Sequence, residues 1–156
     1  MRIAVVSASA RQPGWVRDGF DAYAKRLRGS CTLTLTEVAL PRRSRARPKP
    51  ELLEAEGRQI LARVPKGAHV TALDERGSPW TTAELARRLE HWLAGGRPVA
   101  VLIGGPDGLS GACRERADES WAVSALTLPH GLVRVVVAEA IYRAWSVLEN
   151  HPYHRD

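Results

Sequence analysis

The sequence predicts an α/β fold in which a parallel-type sheet carries helices on both faces. Segments with strand patterns alternate with segments of helical periodicity along the chain, which is the order typical of parallel sheets. The segment "RPVAVLIGG", residues 97–105, is apolar almost throughout, as expected of a strand covered on both sides. The 156 residues contain no linker or internal repeat, so we expect one domain spanning 1–156.

The first two strands and the helix between them follow from side-chain periodicity. Residues 2–9 form a short apolar, β-branched run, and residues 32–40 alternate Leu with Thr, which is the two-residue period of a strand. Between them, apolar side chains recur at the spacing of one helix face. These side chains are Val16, Phe20, Tyr23 and Leu27.

A helix over 51–63 and a strand over 68–74 come next. Pro48 and Pro50 disfavour a helix before Glu51, because proline lacks an amide proton and restricts the residue before it. The inward face of this helix is expected to hold Leu53, Ile60 and Leu61.

The second half of the chain predicts two helices and two strands. Thr81, with Glu84 three residues later, predicts a capping-box start, and Gly95-Gly96 predicts the end of that helix. Its buried face is Leu85, Leu89, Trp92 and Leu93. The strand at 97–105 is followed by a predicted fifth strand, "SALTL", at 124–128 and a last helix at 131–149. The buried side of the last helix is Val133, Val136, Val137, Ile141, Trp145 and Leu148.

Composition narrows the function classes. No apolar run approaches the roughly 20 residues of a membrane span, and Arg11 soon follows the short apolar start, so we expect a cytoplasmic protein without a signal peptide. Cys31 and Cys113 are far apart and show no CxxC spacing, so neither a disulfide framework nor a metal site is expected.

The positive charge indicates nucleic acid as a partner. The net charge is +6 and the isoelectric point about 10.0, and cationic side chains displace counterions from a phosphate backbone. Residues 42–49, "RRSRARPK", hold five cations and no anion. The alternative for this run is an ordinary solvated loop.

Three predicted strand ends are candidates for a ligand site, because ligands of parallel sheets bind beyond the carboxyl ends of strands. They follow Leu73-Asp74, Ile103 and Leu128. The glycines after the second of these ends match neither the Walker nor the dinucleotide-binding spacing: Gly104, Gly105, Gly108 and Gly111. A purely structural loop is one interpretation; the other is that two glycines let a planar ligand approach the backbone.

Two further segments are candidates for base recognition. Pro129 fixes a bend before the last helix, where main-chain amides could read a base edge, although an ordinary strand–helix turn fits as well. The tail 150–156, "NHPYHRD", holds aromatic and cationic groups that can stack on a base or hold a phosphate. An accidental polar tail is the alternative. His151 and His154 have no acidic or cysteine partner nearby in sequence, so we expect no metal there.

Several separated motifs resemble the RlmH family of ribosomal RNA large-subunit methyltransferases. They are "PGWVRDGFDAYAKRL", "TALDERGSPWTTAELA", "LIGGPDGLS", "SWAVSALTLPHGLVRVVVAEAIYRAWS" and "NHPYHR", and together they span essentially the whole chain. The resemblance implies a SPOUT fold with a C-terminal trefoil knot, a homodimer, and S-adenosylmethionine as the methyl donor. It also implies N3-methylation of a pseudouridine in 23S-type large-subunit ribosomal RNA, with the assembled ribosome as substrate.

The resemblance assigns the donor site to the three strand ends. It implies that the cofactor-binding residues are Leu73, Gly104, Gly105, Val123, Ser124, Ala125, Leu126, Thr127 and Leu128. S-adenosylmethionine carries a sulfonium cation and no phosphate, which agrees with a glycine loop that lacks a lysine.

We expect the acceptor base to meet the tail and the last helix. N3 of pseudouridine must lose a proton, so the site needs a base or groups that hold the resulting anion. The candidate catalytic residues are His154, Arg155, Tyr153 and Arg143, with His154 preferred as proton acceptor and His130 as a further candidate. A site this small predicts that both subunits of a dimer contribute. The alternatives are a SPOUT methyltransferase for another RNA base or tRNA, and a non-enzymatic ribosome-binding factor.

Overall fold

The computed structural model describes residues 1–42 and 44–155. Its sheet has five strands, all parallel, in the order β2-β1-β4-β3-β5. The strands are β1 Arg2–Ser9, β2 Thr32–Ala39, β3 His69–Pro79, β4 Val99–Ile103 and β5 Glu119–Ala122. The helices are α1 Gly14–Ala24, α2 Lys49–Ala62, α3 Thr82–Gly95, α4 Gly111–Arg116 and α5 His130–Leu148. The predicted α/β class and parallel sheet are confirmed.

Helices cover both faces of the sheet, as predicted. The central strand β4 shows how this works, because alternate side chains of a strand point to opposite faces. Val99, Val101 and Ile103 belong to a core shared with α1, α3 and α5. Ala100 and Leu102 belong to a second core shared with α2 and α4. All five residues are at least 97% buried, which explains the nearly continuous apolar run.

The predicted limits of α3 are confirmed. The Thr81 hydroxyl accepts a hydrogen bond from the Glu84 amide at 3.2 Å, and the Glu84 carboxylate accepts one from the Thr81 amide at 2.7 Å. This reciprocal pair is the capping box that the sequence indicates. Gly96 ends the helix with φ +63°, a left-handed conformation that glycine adopts without a Cβ clash.

Two sequence predictions are wrong in the structure, and one helix was missed. Residues 124–128 form a loop, and the fifth strand lies earlier, at Glu119–Ala122. The helix predicted from Glu51 begins two residues sooner, at Lys49, with Pro48 as its N-cap and Pro50 in its first turn, where a missing amide proton costs nothing. The short helix α4 was not predicted.

A buried arginine joins α5 to the sheet. Arg134 has no exposed surface, and its Nε donates to Ser7 Oγ at 3.0 Å while Nη1 donates to Glu37 Oε1 at 2.7 Å. Its Nη2 donates to Ser9 Oγ. The side chain therefore fastens the first half of α5 to the C-terminal ends of β1 and β2.

No helix among the described residues is long and apolar enough to cross a membrane. Within the basic segment 42–49, Arg43 lies outside the described residues. The C-terminal Asp156 lies outside them as well. The trefoil knot stays a prediction.

Candidate functional site

A cavity of about 510 Å³ lies where β3 and β4 end and where the chain passes from β5 to α5. Parallel strands place their carboxyl ends at one edge, and that edge is the usual ligand site of such sheets. The predicted donor residues that line the cavity are Leu73, Gly104, Gly105, Val123, Ser124, Leu126, Thr127 and Leu128. The structure thus brings eight of the nine predicted positions together; Ala125 is exposed and does not line the cavity.

The glycine loop is a tight turn that closes on itself. Gly108 donates its amide to the Gly105 carbonyl at 3.0 Å across Pro106 and Asp107, the arrangement of a β-turn with proline in its second position. Gly108 has φ +81°. A Cβ on Gly104 would lie 2.3 Å from the Gly108 carbonyl carbon. Gly104 and Gly108 are therefore required by the loop's own packing, which supports the structural interpretation of these glycines; the approach of a planar ligand stays a prediction.

A buried glutamate on α2 supports this glycine loop through a hydrogen bond. Glu56, on α2, is 93% buried and accepts a hydrogen bond from the Gly105 amide at 2.9 Å. On the same helix, Gly57 lies against Ser110, where a Cβ would meet Ser110 Oγ at 2.1 Å. Ser110 in turn caps α4 through the Cys113 amide. The floor of the cavity is thus held by α2 and α4, and sequence periodicity did not indicate Glu56.

Charged side chains of both signs line the outer wall of the cavity. Asp74, with a side chain 8% exposed, accepts a hydrogen bond from Arg114 Nε at 2.7 Å and from the Arg76 amide at 2.9 Å. Burial raises the pKa of Asp74, but these hydrogen bonds outweigh it and leave the pKa lowered. Asp74 is therefore ionised at neutral pH, and with Glu75 and Asp107 the lining holds three carboxylates.

The loop after β5 forms the outer rim. Ser124 Oγ accepts a hydrogen bond from the Leu126 amide at 2.9 Å, and this bend leaves the Leu126 side chain 74% exposed beside the cavity. An apolar side chain this exposed at a cavity mouth is available to cover a ligand or a partner surface.

His130 is the only predicted acceptor residue found at the cavity among the described part of the chain. Burial and the positive charge of Arg134 lower its pKa, while a hydrogen bond with the Gly104 main chain opposes the shift. The imidazole is therefore neutral at pH 7. Sequence reasoning missed Arg134, although a single arginine inside the apolar run "GLVRVVV" was a usable signal.

The tail lies back along α5. Glu139 Oε1 accepts hydrogen bonds from the Tyr153 hydroxyl at 3.0 Å and from Arg143 at 2.8 and 2.5 Å. The Arg143 guanidinium also lies over the Tyr153 ring, 5.0 Å from its centroid. Burial and hydrogen bonds with Glu139 and Tyr23 raise the pKa of Tyr153 to about 12. Glu139, which sequence reasoning did not select, thus organises two of the predicted residues.

The two predicted catalytic residues that follow Tyr153 differ in their surroundings. His154 Nδ1 lies 3.4 Å from Ser146 Oγ, while Arg155 is exposed.

Within the described residues, none of the four predicted catalytic side chains lines the cavity. At 1.5 Å per residue, the part of α5 that holds the tail lies roughly 9 to 24 Å along the helix from the part that lines the cavity. One chain alone therefore does not bring tail and cavity together.

No group of three or more His, Cys, Asp or Glu side chains within residues 1–42 and 44–155 is arranged to hold a metal ion. Both cysteines are free and buried. Burial raises the pKa of the Cys31 thiol to about 11, so it is protonated at neutral pH.

Comparison with known proteins relates the whole chain to one family. The family described as "Predicted SPOUT methyltransferase" matches residues 1–154. A protein named ribosomal RNA large subunit methyltransferase H from Methylococcus capsulatus is 50% identical over 155 residues, which is 99% of this chain and 100% of that protein. A protein of the same name from Hahella chejuensis is 46% identical over 156 residues, with 100% of both chains covered.

The fold also matches solved structures. A probable methylase family protein from Haemophilus influenzae superposes with a TM-score of 0.57 at 13% identity, covering 99% of this chain and 70% of that one. Identity this low bears on the fold alone. The structural match supports the α/β fold of this chain.

Proposed function

Since the chain belongs to the SPOUT methyltransferase family and is a methyltransferase, we propose that it methylates N3 of a pseudouridine in 23S-type large-subunit ribosomal RNA. We further propose that it acts as a homodimer on the assembled ribosome, in the cytoplasm, with S-adenosylmethionine as donor. The observation that carries the donor assignment is the cavity of about 510 Å³ at the strand ends. The names of the two close relatives carry the ribosomal RNA assignment.

The residues at the cavity fit a positively charged donor. The lining holds three carboxylates and two arginines, and Lys49, which lies outside the lining, pairs with Asp107 at 3.2 Å. The positive charges around the cavity are thus matched by carboxylates, and His130 adds no charge because its pKa is lowered. No lysine lines the cavity within the described residues, so the phosphate-binding group of nucleotide loops is missing. When bound, S-adenosylmethionine supplies a methyl group on a sulfonium that leaves as a neutral thioether, so no residue is needed to protonate the leaving group.

The residues proposed for the acceptor are those of the tail and α5. N3 of pseudouridine lies between two carbonyl groups, so the negative charge left by deprotonation falls on their oxygens. Arg143 and Arg155 would stabilise that charge. His154 would accept the proton, because an imidazole nitrogen can act as a general base. Tyr153, with its raised pKa, stays protonated and serves as a hydrogen-bond donor and stacking surface.

A second subunit is the proposed means of joining the two halves of the site. Different parts of α5, roughly 9 to 24 Å apart along the helix, hold the tail and line the cavity. Two α5 helices packed antiparallel about a twofold axis would therefore set each tail beside the other chain's cavity. Leu132, Val136 and Ala140 lie on one partly exposed face of α5 at four-residue spacing. Trp15 of the neighbouring α1 is 55% exposed. These apolar residues support a helix-mediated dimer.

Mass spectrometry of large-subunit ribosomal RNA tests the substrate. A strain that lacks the gene should lose one methylated pseudouridine, and the wild-type gene should restore it. A normal modification pattern in the deleted strain, or loss of a methyl group from transfer RNA instead, would contradict the proposal.

Variant proteins test the tail. His154→Ala and Arg155→Ala should each lower methyl transfer about a hundredfold, while calorimetry with S-adenosylmethionine should show unchanged donor affinity. Near-normal turnover in both variants contradicts the acceptor assignment.

Mixing a cavity variant, Gly104→Val, with His154→Ala should restore activity in heterodimers that keep one intact site. Absence of rescue, with mixed dimers verified by mass, contradicts a site shared between subunits.

A further inference from the structure

A second groove lies at the far end of α5 from the donor cavity and shares no residue with it. Its volume is about 430 Å³, and it is lined by Lys25, Arg26, Arg28, Tyr142, Trp145 and His151. This volume falls in the range of about 300 to 1,000 Å³ typical of ligand pockets. The groove combines three cations with three aromatic rings, and no acidic residue of the described chain lines it.

The cations are placed to meet a negatively charged ligand. Lys25, Arg26 and Arg28 follow the end of α1 and are all exposed. None of them forms an ion pair with any residue in 1–42 or 44–155. Within the described residues, no carboxylate neutralises their charges, unlike those of Arg114 and Arg134.

The aromatic side offers flat surfaces beside these charges. The Arg26 guanidinium lies 5.5 Å from the Tyr23 ring centroid and 5.7 Å from that of Tyr142. The exposed His151 ring packs against Tyr142 and Trp145, with centroid distances of 6.3 and 6.2 Å. Because Tyr142 and Trp145 are more than 90% buried, the surfaces left for a ligand are the guanidinium of Arg26 and the ring of His151.

We propose that this groove binds an unpaired nucleotide of the RNA substrate. Lys25 and Arg28 hold its phosphate, and Arg26 and His151 stack on its base. Single-stranded nucleic acid is bound by this combination of cations that follow the backbone and planar groups that stack on bases. His151 lies two residues before Tyr153, so the groove continues the surface of the proposed acceptor tail. The ligand class rests on the proposed function; the groove's cationic and aromatic character does not.

Binding of a short RNA tests the groove without requiring catalysis. The probe is a fluorescein-labelled single-stranded RNA of about 12 nucleotides and mixed sequence, followed by fluorescence anisotropy over a series of salt concentrations. The variant Lys25→Ala/Arg28→Ala should bind roughly tenfold more weakly and flatten the slope of log K against log salt by about 0.7, the value for one lost phosphate contact. The control Arg63→Ala/Lys66→Ala removes two exposed cations beyond the end of α2 and should match the wild type.

His151 variants separate stacking from charge. His151→Ala should weaken RNA binding about fivefold, while His151→Phe, which keeps a flat ring, should restore it. Unchanged affinity for S-adenosylmethionine in every variant shows that folding and the donor cavity are intact.

Equal losses in the groove and control variants would overturn the proposal, because they would reflect net charge alone. Unchanged RNA binding in the groove variants would overturn it too. The proposal would also be overturned if an acidic peptide bound as tightly as the RNA and lost its binding in the same groove variants. If the wild type binds this RNA through the groove but methylates no ribosomal RNA, the proposed function fails while the groove assignment stands.

Discussion

Removal of the buried Arg134 guanidinium should destabilise the protein substantially. The side chain is fully buried and donates to Ser7 and Glu37 at 3.0 and 2.7 Å, with a further bond to Ser9. Arg134→Ala deletes these donors and leaves an empty volume between α5 and the sheet. Burial lowers the pKa of Arg134, whereas Glu37 opposes that effect, so the ion pair offsets part of the desolvation.

The expected loss of unfolding free energy depends on whether Glu37 and Ser7 can be solvated once the guanidinium is removed. Removing one member of a buried ion pair costs about 3–5 kcal/mol when the other charge stays buried. The Glu37 side chain is 46% exposed, so water can solvate it in the variant, and we expect about 3 kcal/mol. Arg134→Met fills most of the volume but leaves the buried Ser7 hydroxyl without its donor, so its loss should be about 1–2 kcal/mol.

Urea unfolding at fixed protein concentration measures both losses. A constant concentration is needed because association shifts apparent stability, and an unchanged m-value shows that the unfolded states are comparable. Arg58→Ala, which removes an exposed arginine of α2, should change stability by less than about 0.5 kcal/mol. If Arg134→Ala is as stable as this control, the hydrogen bonds of the guanidinium only balance its desolvation and the reasoning is wrong.

Three further outcomes are expected. Gly104→Ala places a Cβ 2.3 Å from its own loop and should lower methyl transfer about a hundredfold through misplaced loop atoms; Gly111→Ala, with open space around the Cβ, should not. The pKa of His130, followed by NMR, should lie below 6.5 and rise in Arg134→Met. Its contribution to stability should be complete above its unfolded pKa of about 6.5 and decline as pH falls through the lowered folded value. Thr81→Ala should lower the free energy of unfolding by about 1 kcal/mol, and an unchanged value in thermal unfolding would contradict the capping role.

Local chemistry explains which elements the sequence predicted well. The limits of the Thr81-capped helix depend on neighbouring residues only, and they were predicted to the residue, as were the limits of β1, a continuous apolar run. The strand predicted at 124–128 was wrong because a strand also needs a neighbour to pair with. The alternation of side chains there is strand-like, but no strand of the described residues lies beside it. β3 bulges between Leu73 and Ser78, and its pairing with β5 ends at Ala122.

In the candidate site, too, some features could be predicted from the sequence and others could not. Positions at strand ends could be placed on the cavity because topology brings carboxyl ends of parallel strands to one edge. The contacts that hold them could not be predicted, since Glu56 reaches Gly105 from 49 residues away and Arg134 reaches Ser7 from 127 residues away. Glu139 was missed for a different reason: its role appears only when the tail folds back onto α5 and brings Tyr153 to it.

The sheet order has a consequence for synthesis of the chain. β1 pairs with β4 through Ile3 and Val99, so the first strand waits for most of the polypeptide before its second edge is covered. Pairings between such remote segments form slowly. A nascent chain that has not yet released β4 and β5 has neither the Gly104 turn nor the outer rim of the cavity. The cavity at the strand ends therefore forms late, once β4 and β5 have joined the sheet.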